Sequence, residues 1–271
     1  MVSVVMPVFN KSALTRRCLN SVLDHSSRDV DGVKEIFVID NGSSDDTNVV
    51  LETFREPFLN RGIRFNVITI PDNVGFGRAV NRGIRATQGE YLAILNNDTW
   101  VMPNWDQALR LALIKEKVSI IGPYFDEKPI APSQSDSFEE RAKKFLAVNE
   151  GKFRAHFVPI LVFLSRTTLD ALKFDHGGLF DERFFVTYED TDLKQRMKMK
   201  NLNFGQTGSS YIWHQSMGTR SDTSFHPEGY EAEGLRLFIE KWGFDPRPAD
   251  HTFTEKLKRR FRKWKEARGL F

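Results

Sequence analysis

Short apolar runs alternate with segments of helical periodicity along the first 122 residues. Five runs rich in β-branched or apolar residues predict strands, at 2–6, 34–39, 63–70, 91–95 and 118–122. Apolar positions three and four residues apart predict helices between them, at 12–23, 45–54, 75–86 and 104–116. Strands that alternate with helices form a mostly parallel sheet joined by right-handed crossovers. The pattern therefore predicts an α/β fold with a mostly parallel central sheet flanked by helices.

The alternation is weaker in the second half of the chain. Residues 124–157 contain no strong strand signal and one predicted helix, with a capping-box pattern from Ser137 to Glu140. Beyond this helix, a strand is predicted at 158–164 and a short apolar stretch lies at 212–214. Helices are predicted at 167–172, 190–200 and 228–242. The chain shows no internal repeat and no low-complexity linker.

Polar side chains follow the carboxyl ends of the predicted strands. The loops after the first four strands contain Pro7, Phe9 and Asn10, then Asp40 and Asn41, then Asn73 and Gly75, then Asn97 and Asp98. Ligands of open α/β sheets bind beyond these strand ends. A polar cleft with access to the backbone is what a nucleotide requires, so we predict a nucleotide site there.

Two carboxylates in these loops have specific candidate roles. Asp40 can accept a hydrogen bond from the N3–H of uracil or thymine, or it can form an Asx turn. Asp98 can bind Mg²⁺ or Mn²⁺ together with diphosphate oxygens, or it can cap the segment before Trp100. The glycines at 75 and 77 do not form a dinucleotide fingerprint, because they follow the third strand and the third glycine is missing.

Two candidate sites lie further along the chain. Glu189 and Asp190 open a predicted helix, where a carboxylate can take up the proton of an attacking hydroxyl. Alternatively, Asp190 completes a capping box that begins at Thr187. His214 is either structural or, if it faces Asp98 across the cleft, part of a metal site. A functional site therefore requires these loops to converge on one pocket.

Cysteine content and apolar run lengths predict a cellular location. Cys18 is the only cysteine, so no disulfide or cysteine zinc cluster can form within one chain. The first seven residues lack the basic segment of a signal peptide, and no apolar run approaches the roughly 18 residues of a membrane span. These features favour a cytoplasmic protein.

Basic residues are concentrated near the C-terminus. Residues 255–268 contain eight basic and two acidic residues, whereas the whole chain has a net charge of only +3, so the remainder is net acidic. Four apolar side chains of this segment share one helical face, Phe253, Leu257, Phe261 and Trp264. Such a helix can bind an anionic membrane surface or pack on the protein body. The acidic body argues against a nucleic-acid partner.

Five segments taken together resemble the family 2 glycosyltransferases with a GT-A fold, of the bacterial rhamnosyltransferase-like branch. They lie within residues 2–217, at 4–10, 38–45, 73–84, 95–99 and 177–193. The resemblance implies a GT-A domain over 1–225, with a nucleotide-sugar-binding half at 1–98 and an acceptor half at 99–225. Residues 226–271 would form a C-terminal helical segment with the basic amphipathic tail.

The resemblance also implies a role for each matching residue. Donor contacts are expected from Pro7, Phe9, Asn10, Asp40, Asn41, Asn73, Gly75, Asn81 and Asn97. Asp98 and His214 would hold Mn²⁺ or Mg²⁺, although Asn96 replaces the first acid of the family's metal motif. Asp190 would be the catalytic base with Glu189 beside it, and Asp192 and Phe185 would meet the acceptor.

The activity implied is inverting transfer of a sugar from a UDP- or dTDP-sugar to the hydroxyl of a glycan or lipid-linked acceptor. Bacterial surface polysaccharide or lipid-linked glycan synthesis, at the inner face of the plasma membrane, is the expected setting. Two alternatives stay open. A sugar-1-phosphate nucleotidyltransferase would need a glycine-rich basic loop in place of residues 7–11. A non-catalytic nucleotide-sugar-binding protein would tolerate replacement of Asp190.

Overall fold

The computed structural model describes residues 1–126, 138–156, 158–215 and 229–247. The strands in these ranges are β1 (Val2–Val8), β2 (Val33–Asn41), β3 (Arg64–Ile70), β4 (Tyr91–Leu95), β5 (Thr99–Val101), β6 (Ile120–Asp126), β7 (Phe153–Arg154), β8 (Leu161–Ser165) and β9 (Phe204–His214). The helices are α1 (Ser12–His25), α2 (Thr47–Glu52), α3 (Arg55–Asn60), α4 (Phe76–Ala86), α5 (Trp105–Glu116), α6 (Phe138–Asn149), α7 (Arg166–Leu172), α8 (Glu189–Met199) and α9 (Tyr230–Trp242). Within these four ranges no helix combines the length and the apolar character needed to cross a lipid bilayer.

The nine strands of the described ranges form one sheet. Its order is β3-β2-β1-β4-β8-β6-β9-β5, with β7 paired to β9. Strands β1 to β4 are parallel, β8 is antiparallel to both β4 and β6, and β9 is parallel to β6. Strands β5 and β7 run antiparallel to β9, so six strands share one direction. The predicted α/β fold with a mostly parallel sheet is confirmed.

The central strands are buried on both faces, which explains their continuous apolar sequence. Val4 and Met6 of β1 belong to the apolar cluster that includes Cys18 of α1. Val5, which faces the other side of the sheet, belongs to the cluster that includes Val80 of α4. Each such side chain contributes about 1.5–3 kcal/mol when it is fully buried. Two apolar layers thus fix the strands whose carboxyl ends carry the predicted nucleotide loops.

Several elements differ from the sequence prediction. Strand β9 covers residues 204–214 rather than the short stretch at 212–214, and helix α3 was not predicted. The polar first half of β9 is buried because β6 and β7 pair with it. The capping box at Ser137 and the basic tail at 252–271 lie outside the described residues.

Candidate active site

A cavity of about 630 Å³ lies beyond the carboxyl ends of the first strands. Its lining includes Pro7, Phe9, Asn41, Asn73, Asn96, Asn97, Asp98, Thr187, Glu189, Asp190, His214 and Glu231. Clefts of roughly 300–1,000 Å³ are the usual size for small-molecule ligands. Loops that are far apart in the sequence therefore converge on one pocket that is large enough for a nucleotide-sized ligand.

Asp98 and His214 face each other in this cavity. Asp98 follows β4, and its Oδ2 lies 3.4 Å from Nε2 of His214. The antiparallel pairing of β5 with β9 places Thr99 opposite His214. The backbone N–H of Gln215 also donates to the carbonyl of Asp98, at 2.9 Å. Strand pairing thus fixes the carboxylate and the imidazole relative to each other.

The polar atoms around Asp98 suit a hard divalent cation. Asp98 Oδ1 and Asn96 Oδ1 are buried and have no hydrogen-bond partner among the described residues, which normally costs free energy. Both are oxygen atoms of the kind that Mg²⁺ and Mn²⁺ prefer. No group of three or more His, Cys, Asp or Glu residues in the described ranges could hold a metal alone. The residues therefore fit a metal whose remaining ligands come from a substrate.

Arg17 supports the segment that carries His214, and sequence reasoning missed it. Its guanidinium lies 5.1 Å from the ring centre of Trp100 and 4.8 Å from that of Trp213. Its Nη2 donates to the side chain of Gln215, at 2.6 Å. Burial lowers the pKa of Arg17, although the nearby Asp98 carboxylate opposes that shift. The sequence contains no signal for this contact, because the partners are more than 80 residues away.

Helix α8 begins with the predicted acidic pair. Glu189 and Asp190 occupy its first turn and line the cavity. Asp190 Oδ1 accepts hydrogen bonds from the backbone N–H of Thr191, at 2.7 Å, and from its hydroxyl, at 3.2 Å. The proposed capping box was wrong. Tyr188, with φ of 70°, is the N-cap residue and makes no side-chain cap bond. The buried Oγ1 of Thr187 has no partner in the described part of the chain.

Asp192 does not line the cavity, and its carboxylate instead anchors α8. The side chain is fully buried, and its Oδ2 accepts a hydrogen bond from Arg196 at 2.9 Å. Its Oδ1 contacts Nζ of Lys241 at 2.6 Å and accepts from the indole of Trp242 at 2.9 Å. Lys241 and Trp242 belong to α9, so this helix holds α8 from behind.

The loops after β1, β2 and β3 are joined by side-chain amides. Asn10 Oδ1 accepts from the backbone N–H of Ser44 at 2.8 Å. Asn41 Nδ2 donates to Asn73 Oδ1 at 2.9 Å. Asp40 is buried behind them and does not line the cavity; its Oδ1 accepts from the N–H of Ser43, as in the turn alternative. The loops thus form a preorganised rim.

Like Asn10, three other predicted site residues lie outside the cavity lining. Asn81 is fully buried and exchanges two hydrogen bonds with the backbone of Phe180, at 2.8 and 3.0 Å. Phe185 accepts a backbone bond from Phe76 at 2.8 Å. Gly75 has φ of +89°, and a Cβ there would overlap the carbonyl of Phe185. These residues join α4 to the 177–185 loop. By contrast Asn97 does line the cavity, with its Nδ2 bonded to Thr15.

Comparison with known proteins identifies the family. The sequence profile described as "Glycosyl transferase family 2" matches residues 3–166, more than half of the chain. Among curated proteins, glycosyltransferase GlyG of Streptococcus pneumoniae is 24% identical over 196 residues. That alignment covers 67% of this chain and 62% of GlyG, so the chain spans less than two thirds of that relative.

Solved structures support the fold. GalNAc-T7, crystallised with UDP, GalNAc and Mn²⁺, matches with a TM-score of 0.60 and 17% identity, over 79% of this chain and 43% of that one. A Staphylococcus aureus TarS fragment (residues 1–349) in complex with UDP matches with a TM-score of 0.56 and 15% identity, over 94% of this chain and 76% of that one. Both likenesses bear on the fold alone, and they confirm the predicted GT-A architecture.

Proposed function

Because the chain belongs to the family 2 glycosyltransferases, we propose that it transfers a sugar from a UDP- or dTDP-sugar to an acceptor hydroxyl, with inversion at the anomeric carbon. One observation carries this proposal. Asp98, His214 and Asp190 line the same cavity, so the groups needed for the leaving diphosphate and for the attacking hydroxyl are within one pocket. The rhamnosyltransferase-like branch stays a prediction.

The donor nucleotide would occupy the rim formed by the loops after β1, β2 and β3. Phe9 and Pro7 supply an apolar surface for the pyrimidine, and the linked amides of Asn41 and Asn73 supply polar contacts. Asp40 is buried behind this rim, so a bond from the N3–H of the base to its second carboxylate oxygen, the one that does not bond to Ser43, would require the rim to move on binding. UDP and dTDP present the same N3–H edge, so both are candidates.

The diphosphate would lie against the end of β4. Asp98, Asn96 and His214 would hold Mn²⁺ or Mg²⁺, which when bound neutralises the charge that develops on the leaving diphosphate. The presence of UDP and Mn²⁺ in the GalNAc-T7 structure supports a divalent cation in this fold. Asn96 supplies a neutral oxygen where the family motif has an acid, so Asp98 would provide most of the negative charge.

Asp190 would act as the base. The acceptor oxygen forms a bond to the anomeric carbon while the bond from that carbon to the diphosphate oxygen breaks, and Asp190 takes the hydroxyl proton. Inversion follows from a single displacement in which base and leaving group lie on opposite sides of the sugar. Glu189 shares the first turn of α8 and would help to orient the acceptor.

The acceptor would be a glycan or a lipid-linked sugar. Thr187 and Glu231 line the cavity from the side of α8 and α9 and offer hydrogen-bonding groups for its hydroxyls. The setting that follows from the resemblance of the sequence is bacterial surface polysaccharide or lipid-linked glycan synthesis at the cytoplasmic face of the membrane.

A donor panel tests the proposal. UDP- and dTDP-sugars are supplied with and without Mn²⁺, and released nucleotide is measured. We expect release from at least one donor and stimulation by Mn²⁺. Asp98→Asn should weaken Mn²⁺-dependent donor binding by about tenfold in calorimetry, because the metal loses its charged ligand. Asp170→Asn removes an exposed carboxylate that pairs with Lys173 and serves as the control. Donor binding without any release would instead favour the non-catalytic alternative.

A further inference from the structure

A second cavity, of about 280 Å³, lies on the outer face of α4. It is lined by Val74, Arg78, Arg82, Arg85 and Glu182. The three arginines occur at positions i, i+4 and i+7, so they share one face of the helix. We propose that this arginine groove binds the anionic groups, phosphate or carboxylate, of an extended acceptor chain. The identity of the ligand as an acceptor rests on the proposed function, whereas anion binding by the groove does not.

The groove carries excess positive charge that is partly preorganised. Arg78 Nε donates to the carbonyl of Glu182 at 2.7 Å, and Arg85 Nη1 donates to its carboxylate at 3.2 Å. Burial would raise the pKa of Glu182, but hydrogen bonds from Asn81 and Arg85 outweigh it and lower that pKa, so Glu182 is charged at neutral pH. Three cations thus face one anion.

Arg82 is the cation best placed to take a ligand. It lies between the other two arginines on the same helix face, and its side chain is exposed. It makes no hydrogen bond or ion pair with any residue of the described ranges. Arg78 uses only its Nε, and Arg85 only its Nη1, in internal hydrogen bonds, so further donors on both remain for a ligand.

The length of the row indicates the shape of the ligand. Seven helical residues advance the chain by about 10 Å, at roughly 1.5 Å per residue. A single phosphate would need only one or two guanidinium groups, each of which can bind two anionic oxygens in parallel. A row of three therefore fits a chain that carries several negative charges better than it fits one isolated anion.

The groove lies directly behind one wall of the catalytic cavity. Asn73 and Phe76 line the catalytic cavity, whereas Val74, between them in sequence, lines the groove. On the facing loop, Phe180 lines the catalytic cavity and Glu182 lines the groove. Residues 73–76 and 180–182 thus border both spaces, so a chain bound along α4 can place its end at the catalytic cavity.

Inorganic tripolyphosphate is the probe for the groove, titrated into the full-length protein without metal and followed by calorimetry. We expect saturable binding that weakens as salt is raised, because charged groups at a surface are screened. Arg82→Glu should weaken the affinity by about tenfold or more, since it removes one charged donor and adds a repulsive charge. Arg82 is exposed and makes no hydrogen bond or ion pair in the described ranges, so its replacement should leave folding intact.

Arg28→Glu is the matched control. Arg28 is exposed in the loop between α1 and β2, and α1 packs on the opposite face of the sheet from α4, so reversal of its charge should change the affinity by less than about twofold. Equal binding by wild type and Arg82→Glu, or no binding by the wild type, would overturn the anion site. Without acceptor, Arg82→Glu should release nucleotide from the donor at the wild-type rate. Absence of nucleotide release in the wild type would count against the proposed sugar transfer, whereas absence of tripolyphosphate binding would count against the groove.

A vesicle-sedimentation experiment identifies whether the anion comes from a lipid or from a soluble molecule. The same variants are sedimented with phosphatidylcholine vesicles that contain or lack phosphatidylglycerol. Binding that requires both phosphatidylglycerol and Arg82 supports the groove with a lipid phosphate as its ligand. Tripolyphosphate binding that requires Arg82, without such vesicle binding, supports the groove with a soluble anionic glycan as its ligand.

Discussion

The loops after β1, β2 and β3 are joined mainly by hydrogen bonds of neutral amide side chains, whereas the start of α8 is held from behind by buried charges. The amides of Asn41 and Asn73 bond directly to each other across two adjacent loops. Asp192 of α8, in contrast, contacts Arg196 on its own helix and Lys241 some 50 residues later. The two sides of one cavity are thus stabilised by different physical means.

This contrast indicates on which side of the cavity a single substitution should cost more stability. A neutral hydrogen bond contributes about 0.5–1.5 kcal/mol net, and its neighbours can adjust to its loss. A buried ion pair that loses one partner leaves an uncompensated charge, which costs several kcal/mol. The position of Asp190 should therefore depend on distant residues of α9, while the rim around Asn41 should be locally robust.

The largest expected effect comes from Asp192→Ala. This change leaves Arg196 and Lys241 without their shared carboxylate, and we expect the free energy of unfolding to fall by about 3–5 kcal/mol. Asn41→Ala should cost only about 1–2 kcal/mol, because it removes neutral hydrogen bonds. Urea unfolding of both variants measures the difference. Similar losses in the two variants would contradict the contrast between the two sides.

Asp190→Asn tests whether the charged side of the cavity does the chemistry. The amide keeps the shape of the side chain but cannot take up a proton, so turnover should fall by about 10²-fold or more, equivalent to roughly 2.7 kcal/mol in the barrier. The affinity for the donor should be retained, as measured by calorimetry. Asp170→Asn on the exposed face of α7 is the control. Near-normal turnover by Asp190→Asn would remove it from the role of base.

Asp181, which also contacts α9, should make a smaller, pH-dependent contribution to the free energy of unfolding. Burial would raise the pKa of Asp181, but hydrogen bonds from Arg183 and Lys241 outweigh it and hold that pKa well below its usual range. Its contribution to stability is therefore present above the unfolded-state pKa of about 3.9 and is lost as the pH falls from there towards the folded-state pKa.

Comparison of the wild type with Asp181→Asn measures this contribution. At pH 7 the variant should be less stable by on the order of 1 kcal/mol, and the difference should shrink below about pH 4. Urea unfolding at a series of pH values provides the measurement. A difference that stays constant down to pH 2 would show that the Asp181 carboxylate does not carry the effect.

The parallel strands could be predicted because they are buried on both faces, and their own sequences are therefore continuously apolar. Strand β4 matches the predicted range of 91–95, and all of its apolar residues face a core layer. The first half of β9 could not be predicted, since Gly205 and Gly208 look like loop residues in the sequence. In the structure a Cβ at Gly205 would overlap the ring of Phe153, and one at Gly208 would overlap the carbonyl of Asn149. These glycines allow close packing between elements, which only the tertiary structure reveals.

The position of the site in the fold was easier to predict than the role of each residue in it. Convergence of the loops that carry Asp40, Asp98, Asp190 and His214 was expected, and all of these side chains except Asp40 line one cavity. Asn81 and Asp192 were predicted to contact ligands. In the structure Asn81 bonds to the backbone of Phe180, and Asp192 anchors α8. A polar side chain that anchors a loop has the same chemistry as one that binds a ligand, so the sequence cannot separate the two. Thr187 was assigned only to a capping box, and Glu231 belongs to no motif, so their positions in the cavity were missed.

Helix α9 lies beyond the part of the chain that matches the family profile, yet Glu231 lines the cavity and Gly234 packs against Thr187 and Tyr188. Substitutions in this one helix can therefore reshape the mouth of the cavity without disturbing the loops after β1 to β3. Relatives that share the same nucleotide rim could in this way diverge in acceptor choice, and grafting α9 between them offers a direct route to altered transfer specificity.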